Sequence, residues 1–288
     1  MPMLAPSAPS TPTRSQADAL RVGRDRSGSE STGPATLLMA SGRGGSGTTL
    51  VSTLLAVSAA GNGVRVLLID ADDLVGPLAL TLGVTPRASW TDLRGGRTAP
   101  ADVVTPVSTT LTFVAGGAPL WGGEAMTMNA PERKACMRRL SVLADDADLV
   151  VVDCGARFDS LLAAIAPHAN ERLVAISSGS DPIGLAATYA LCKAVGQRHS
   201  AFPVDVLVNH HDVREATRCF DAIDAGARQF LGRPLRLAGA VPTDSTLDAA
   251  LRAGMPFLDA AAGSPAAVAA HEIVMRMLAN RPLPRSGV

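Results

Sequence analysis

Nine consecutive residues, Ser41-Gly42-Arg43-Gly44-Gly45-Ser46-Gly47-Thr48-Thr49, constrain this chain more than any other stretch. They lie between an apolar run, Ala35 to Ala40, that reads as a buried strand and a segment, Leu50 to Ala60, that reads as a helix. A strand that turns through glycines into a helix aims backbone N–H groups and the positive end of the helix dipole at one point, and a phosphate binds there. The spacing from Gly42 to Gly47-Thr48-Thr49 is that of G-x-x-x-x-G-K-[ST], with Thr48 in the place of the lysine. A plain glycine-rich surface turn is the competing reading, and the strand-to-helix frame weighs against it.

From Ala35 onward, strand-like and helix-like segments alternate, which predicts an α/β fold with a mostly parallel sheet and helices on both faces. Further strands are expected at Val64 to Asp70, Leu111 to Ala115, Leu149 to Asp153, Leu173 to Ser177, Val204 to Asn209 and Leu235 to Ala240. Helices are expected at Pro131 to Ala144, Pro182 to Gln197, Val213 to Leu231, Ser245 to Ala253 and Pro265 to Leu278. The chain has only nine aromatic residues, so its core is built from Ala, Val, Leu and Ile. Ligands of open parallel sheets bind at the carboxyl ends of the strands, which places Gly42 to Thr49, Asp70, Asp153 and Asn209 around one crevice.

The organisation has three parts. Residues 1–34 form a polar arm, expected to be disordered apart from a short helix at 15–22, where Ser15 and Asp18 have the spacing of a capping box. Residues 35–281 form the nucleotide-binding domain, and 282–288 a flexible tail. A formal net charge of zero gives no electrostatic reason to expect a nucleic-acid partner. The four cysteines, Cys136, Cys154, Cys192 and Cys219, have no C-x-x-C spacing and suit a reducing compartment. No apolar run has the length of a membrane span, and the chain does not open in the order of a signal peptide, so a cytoplasmic location is expected.

Two aspartates end apolar strands: Asp70, followed by Ala71-Asp72, and Asp153. Beside a phosphate loop such residues hold Mg²⁺, often through water, and orient the attacking water. Each alone could equally be a helix cap. Asp244, after Pro242, is read as a cap that also borders the base or ribose, and His210 and His211 as solvated loop residues or lining of the base pocket.

These segments together resemble the deviant-Walker ATPases of the MinD/ParA group. Arg43-Gly44-Gly45-Ser46-Gly47-Thr48-Thr49 is similar to K-G-G-x-G-K-[ST], and Val66 to Asp72 to the second motif of that group. Asp153-Cys154-Gly155-Ala156 is similar to the D-T-G-A-G of switch II, and Val206 to Asn209 to the strand whose Asn reads the adenine edge. Phe230 to Gly232, Gly239 to Asp244 and Ala249 to Phe257 resemble the flagellar FlhG (FleN) branch. Gln16-Ala17-Asp18-Ala19-Leu20-Arg21 is similar to the D-Q-A-x-x-L-R segment through which that branch engages the SRP-type GTPase FlhF, with Ser15 in place of the leading Asp.

The resemblance implies a P-loop NTPase fold that binds ATP and Mg²⁺. Gly44, Gly45, Ser46, Gly47, Thr48 and Thr49, with Asn209 and Asp244, would hold the nucleotide. Thr49, Asp70 and Asp153 would hold the metal, and Asp72 and Arg43 would serve hydrolysis. It also implies a nucleotide-dependent homodimer and an FlhF-like GTPase contacted by Gln16, Ala17, Leu20 and Arg21, with flagellar basal-body components as further partners. Direct membrane binding is not expected, because 280–288 has no amphipathic stripe.

Three departures bear on chemistry. Thr48 removes a cation from the phosphates, a loss of about 1.5–3 kcal/mol, or roughly ten- to a hundredfold in affinity. Arg43 stands for the signature lysine that reaches the opposite subunit, and keeps charge but not shape. Arg157 replaces the last Gly of switch II, where it supplies the missing charge, fills the pocket or faces solvent. The expectation is weak nucleotide binding and impaired hydrolysis. The rival readings are an active ATPase that positions cargo, as in chromosome partition or pilus assembly, and a ligase or reductase on the same fold.

Overall fold

The computed structural model describes residues 33–117, 128–164 and 171–280. The expected helix at 15–22 and the tail at 282–288 lie outside the described residues.

The expected strands form because parallel strands covered on both faces read as uninterrupted apolar runs. They are β1 (Ala35–Ser41), β2 (Val66–Asp70), β4 (Leu111–Val114), β5 (Leu149–Asp153), β6 (Glu171–Ser178), β7 (Val204–Asn209) and β8 (Arg236–Val241). With a short β3 (Val104–Pro106) they make one eight-stranded sheet in the order β3-β4-β2-β5-β1-β6-β7-β8. Only β3 runs antiparallel, against β4 at the sheet edge, and the sequence reading missed it. Three residues ending in Pro106 carry no periodicity, and a proline is tolerated there because an edge strand has a side without hydrogen-bond partners.

Helices cover both faces. On one, α1 (Thr48–Gly61) and α9 (Pro265–Ala279) pack Leu54, Leu55, Ile273 and Val274 over Leu37 and Met39 of β1. On the other, α3 (Ala130–Arg139), α5 (Pro182–Arg198) and α6 (Val213–Leu231) bring Met137, Cys192 and Ile223 over Leu38 and Ala40. The alternation of β1 side chains between the two faces follows from the two-residue period of a strand.

The helix expected from Pro131 to Ala144 is shorter. Asn129 and Glu132 form a capping box at its start, and the α-helix gives way at Leu140 to 3-10 turns that reach Asp146. Short helices α2 (Leu78–Leu82), α4 (Phe158–Ala164) and α8 (Phe257–Ala261) were not foreseen, since about one turn of chain shows no amphipathic period. The expected helix at Ser245 is α7 (Ser245–Arg252).

One buried ion cluster ties the far strands together. Asp205 of β7, 3% exposed, accepts from Arg172 of β6 at 2.8 Å and from Arg236 of β8 at 2.6 and 2.8 Å. Removing the carboxylate would leave the buried Arg172 guanidinium without its partner, which typically costs 3–5 kcal/mol. Asp205→Ala is therefore expected to destabilise the protein by about 3 kcal/mol or more, read as a lower urea midpoint at unchanged slope.

Candidate nucleotide site

The turn from β1 into α1 sits at the centre of the sheet, where the chain leaves β1 between its neighbours β5 and β6. This is the switch point of an open parallel sheet, the position at which ligands bind. The turn passes close to other groups. A side chain at Gly42 would run into the Ala187 carbonyl, and one at Gly47 into Asn209 Nδ2. Gly45 and Gly47 also have φ values of 78° and 80°, a region that glycine enters without strain. Gly47 is the N-cap of α1, and it has no side chain to occupy the first N–H groups of that helix.

Local hydrogen bonds hold the loop's shape. The Ser41 and Ser46 hydroxyls donate to the Arg43 carbonyl at 2.9 and 3.1 Å, and Asn209 Nδ2 donates to the Ser46 carbonyl at 3.1 Å. Asn209 is buried at the end of β7, and its Oδ1 has no hydrogen-bond partner among the described residues. Thr48 is 5% exposed and its hydroxyl oxygen is likewise buried without a partner. An unpaired buried hydroxyl costs free energy, so Thr48 is held at a local cost.

The carboxylates stand on the other side of β1. Asp70 and Asp153 are register partners across β2 and β5, both almost fully buried. Asp70 accepts from the backbone N–H groups of Asp72 and Leu78, each at 3.0 Å. Its backbone carbonyl accepts the Trp90 indole N–H at 2.7 Å. Burial pushes the Asp70 carboxyl well above the ordinary range, and the Asp153 charge adds to this. Burial pushes Asp153 up to about 6 against opposing hydrogen bonds from Thr49 and the Gly155 N–H. Among the described residues no three His, Cys, Asp or Glu side chains converge as a protein-only metal site. Two buried carboxylates and Thr49 nevertheless suit Mg²⁺, a hard cation that takes much of its shell from phosphate and water.

Asp72 and Arg157 are brought together. Asp72 Oδ1 accepts from the N–H groups of Leu74 at 2.9 Å and Val75 at 3.3 Å, and from Arg157 Nη1 at 3.2 Å. Arg157 Nη2 also lies 3.2 Å from Asp73 Oδ1. The Asp73 carboxylate is fully buried, and its other oxygen pairs with the buried Arg133 at 2.7 and 3.1 Å. Pairing with these acids is none of the three readings open for Arg157 from sequence. Neither Asp73 nor Arg133 was singled out from sequence, because nothing in the spacing of α3 signals that one of its arginines turns inward.

Arg43 is held within its own chain, by Asp181 at 2.9 and 3.3 Å and by the Ser178 carbonyl at 3.1 Å. Asp181 also caps α5 through the Gly184 N–H at 2.8 Å, a bond that with Arg43 lowers its carboxyl below the usual range. Asp244 uses both oxygens as a cap, accepting from Leu247 at 2.9 Å and Ala266 at 3.0 Å, which joins α7 to α9.

The elevated Asp153 carboxyl gives a signed prediction. Its folded value lies above its unfolded one, so the ionised form weakens the metal-free fold above about pH 6, and this penalty fades as pH falls through 6 toward 4. Asp153→Asn, which keeps the acceptor for Gly155, should raise the metal-free melting temperature at pH 8, by the equivalent of about 2–3 kcal/mol, and give little gain at pH 4.

Comparison with known proteins bears on the fold and the family. Residues 37–257 match the family model described as the CobQ/CobB/MinD/ParA nucleotide binding domain. The chain is 28% identical over 245 residues to the antiactivator FleN of Pseudomonas aeruginosa, covering 84% of this chain and 85% of that protein. Among solved structures, a ParA family ATPase from Chlorobium tepidum superposes with a TM-score of 0.66 at 19% identity, over 85% of this chain and 99% of that one. The septum site-determining protein MinD of Pyrococcus horikoshii, complexed with Mg-ADP, gives 0.64 at 18% identity, over 85% and 98%. The two solved structures share the P-loop NTPase fold seen here, and the chain belongs to the CobQ/CobB/MinD/ParA nucleotide-binding family.

Proposed function

We propose that this chain is an FlhG-like regulator of flagellar number or placement that binds MgATP weakly and hydrolyses it slowly or not at all. It acts through an SRP-type GTPase resembling FlhF. The observation that carries the nucleotide part is the glycine-built cradle at the switch point of the sheet, where Gly42 and Gly47 leave no room for a side chain and Gly47 leaves the first N–H groups of α1 without a side-chain cap. The cradle offers N–H donors from Gly44 to Thr49, and the residue that would add a cation adds a hydroxyl. The flagellar part is supported by the similarity to FleN and by the segment Gln16 to Arg21.

Mg²⁺, when bound, would be held by Thr49 with Asp70 and Asp153 and would offset phosphate charge. Asp72 is the residue in this crevice suited to orienting water, and one of its carboxylate oxygens is already engaged by Arg157. Arg43, engaged by Asp181, is not positioned by its own chain toward the loop's N–H groups, so any contact across a dimer requires that pair to open. Asn209 and Asp244 shape the side of the crevice that would take the nucleoside. No helix among the described residues is long and apolar enough to cross a membrane, and recruitment to the pole or membrane by a partner completes the proposal.

Calorimetric titration with MgATP, with sizing of the complexes, tests the nucleotide part. The native protein should bind about ten- to a hundredfold more weakly than Thr48→Lys. Turnover at the rate of an active ATPase, abolished by Asp72→Ala, would overturn the proposal of impaired hydrolysis. For the partner, a peptide of residues 1–30 should raise the hydrolysis rate of an FlhF-like GTPase, and Gln16→Ala with Leu20→Ala should remove the effect. No stimulation by the unaltered peptide would sink the partner assignment.

A further inference from the structure

The crevice has two unlike sides. Across β1 toward β5 and β2 stand the buried carboxylates, and across it toward β6, β7 and β8 stand Asn209, His210 and Thr243. A nucleotide whose phosphates lie on the loop and whose metal lies toward Asp70 and Asp153 directs its base to the second side. Asn209, the expected reader of the base edge, is 1% exposed there and its amide is engaged with the Ser46 carbonyl, so it acts as a strut under the loop. The planar side chain left facing out is that of His210.

His210 has a φ of 64° and is the only non-glycine residue among those described with a positive value. A residue with a Cβ is rarely held in that region, and functional sites are where such strain collects. Two bonds hold it: the Thr243 hydroxyl donates to the His210 carbonyl at 3.0 Å, and the next residue's N–H reaches the Val241 carbonyl at 3.4 Å. The conformation brings the imidazole to the phosphate loop, with Nε2 3.5 Å from where a Cβ on Gly47 would stand. The ring has no hydrogen-bond partner among the described residues, whereas the adjacent His211 is paired with Glu215 at 3.1 Å.

We infer that His210 is the residue on which the nucleobase rests, a flat ring beside the loop that distinguishes a nucleoside triphosphate from a bare polyphosphate. This rests on the nucleotide-binding reading above. Stacking of a base on an aromatic ring is tolerant of sequence and geometry and needs no hydrogen bond from the protein, which suits a ring without partners. It also adds affinity at the end of the ligand remote from Thr48, where the missing lysine cannot be felt.

The test is titration of MgATP and of magnesium tripolyphosphate, which lacks a base, against native protein, Thr48→Lys, and His210→Ala, His210→Gly and His210→Phe made in both. The ratio of the two affinities should fall about tenfold in the Ala and Gly variants and persist in Phe, while tripolyphosphate binding stays within about twofold. Glycine matters because it accepts the positive φ. If His210 serves only the turn, His210→Gly should be more stable and keep the native ratio, which would overturn the inference. Equal losses for both ligands would overturn it as well, by placing His210 on the phosphates. Absence of MgATP binding by both native and Thr48→Lys protein would overturn the nucleotide reading itself and this inference with it.

Discussion

The approach of the β1–α1 turn to its neighbours is the constraint on which the crevice depends. At Gly42 the backbone runs against the Ala187 carbonyl of α5, and at Gly47 against the Asn209 amide at the end of β7. No side chain fits at either point, so the loop is pinned between α5 and β7. The same closeness permits the Asn209 to Ser46 hydrogen bond and the placement of Arg43 beside Asp181. Loop geometry, helix capping and strand register are therefore one arrangement, and a disturbance of any of them reaches the others.

Charge is balanced unevenly around this loop. On the β2 and β5 side four carboxylates, Asp70, Asp72, Asp73 and Asp153, meet two guanidinium groups, Arg133 and Arg157. Arg133 neutralises the buried Asp73, and Arg157 bridges Asp72 and Asp73. Among the described residues Asp70 and Asp153 have no arginine partner, and burial pushes both carboxyls upward. A divalent cation is the natural complement of that pair. In the loop itself the position of the expected lysine carries a hydroxyl, so the two guanidinium groups stand beside Asp72 and Asp73 and Thr48 adds no charge.

Much of the framework was legible from pattern. Apolar runs of five to eight residues ending in a polar side chain gave the central strands with errors of a residue or two, because each is buried on both faces and its composition is dictated by that burial. The long helices begin where the sequence placed them, at Pro182, Val213 and Pro265, and the structure adds that Asp181, Asp212 and Ser264 cap them by accepting backbone N–H groups. Short elements such as α2, α4 and β3 were not legible, since their conformation is imposed by what they pack against.

The sequence by itself determined the P-loop fold, the strand-to-helix phosphate loop, the lost lysine at Thr48 and the strand-end positions of Asp70, Asp153 and Asn209. Each of these is a local property of spacing or residue type. Only the tertiary structure decided that Arg157 pairs with Asp72 and Asp73, that Arg43 is held by Asp181, that Asn209 supports the loop and that His210 is the ring left facing outward. Those pairings join residues 85, 138 and 163 positions apart in the chain. Long flexible side chains choose among several partners by distance and desolvation, and both are fixed only once the strands are in order.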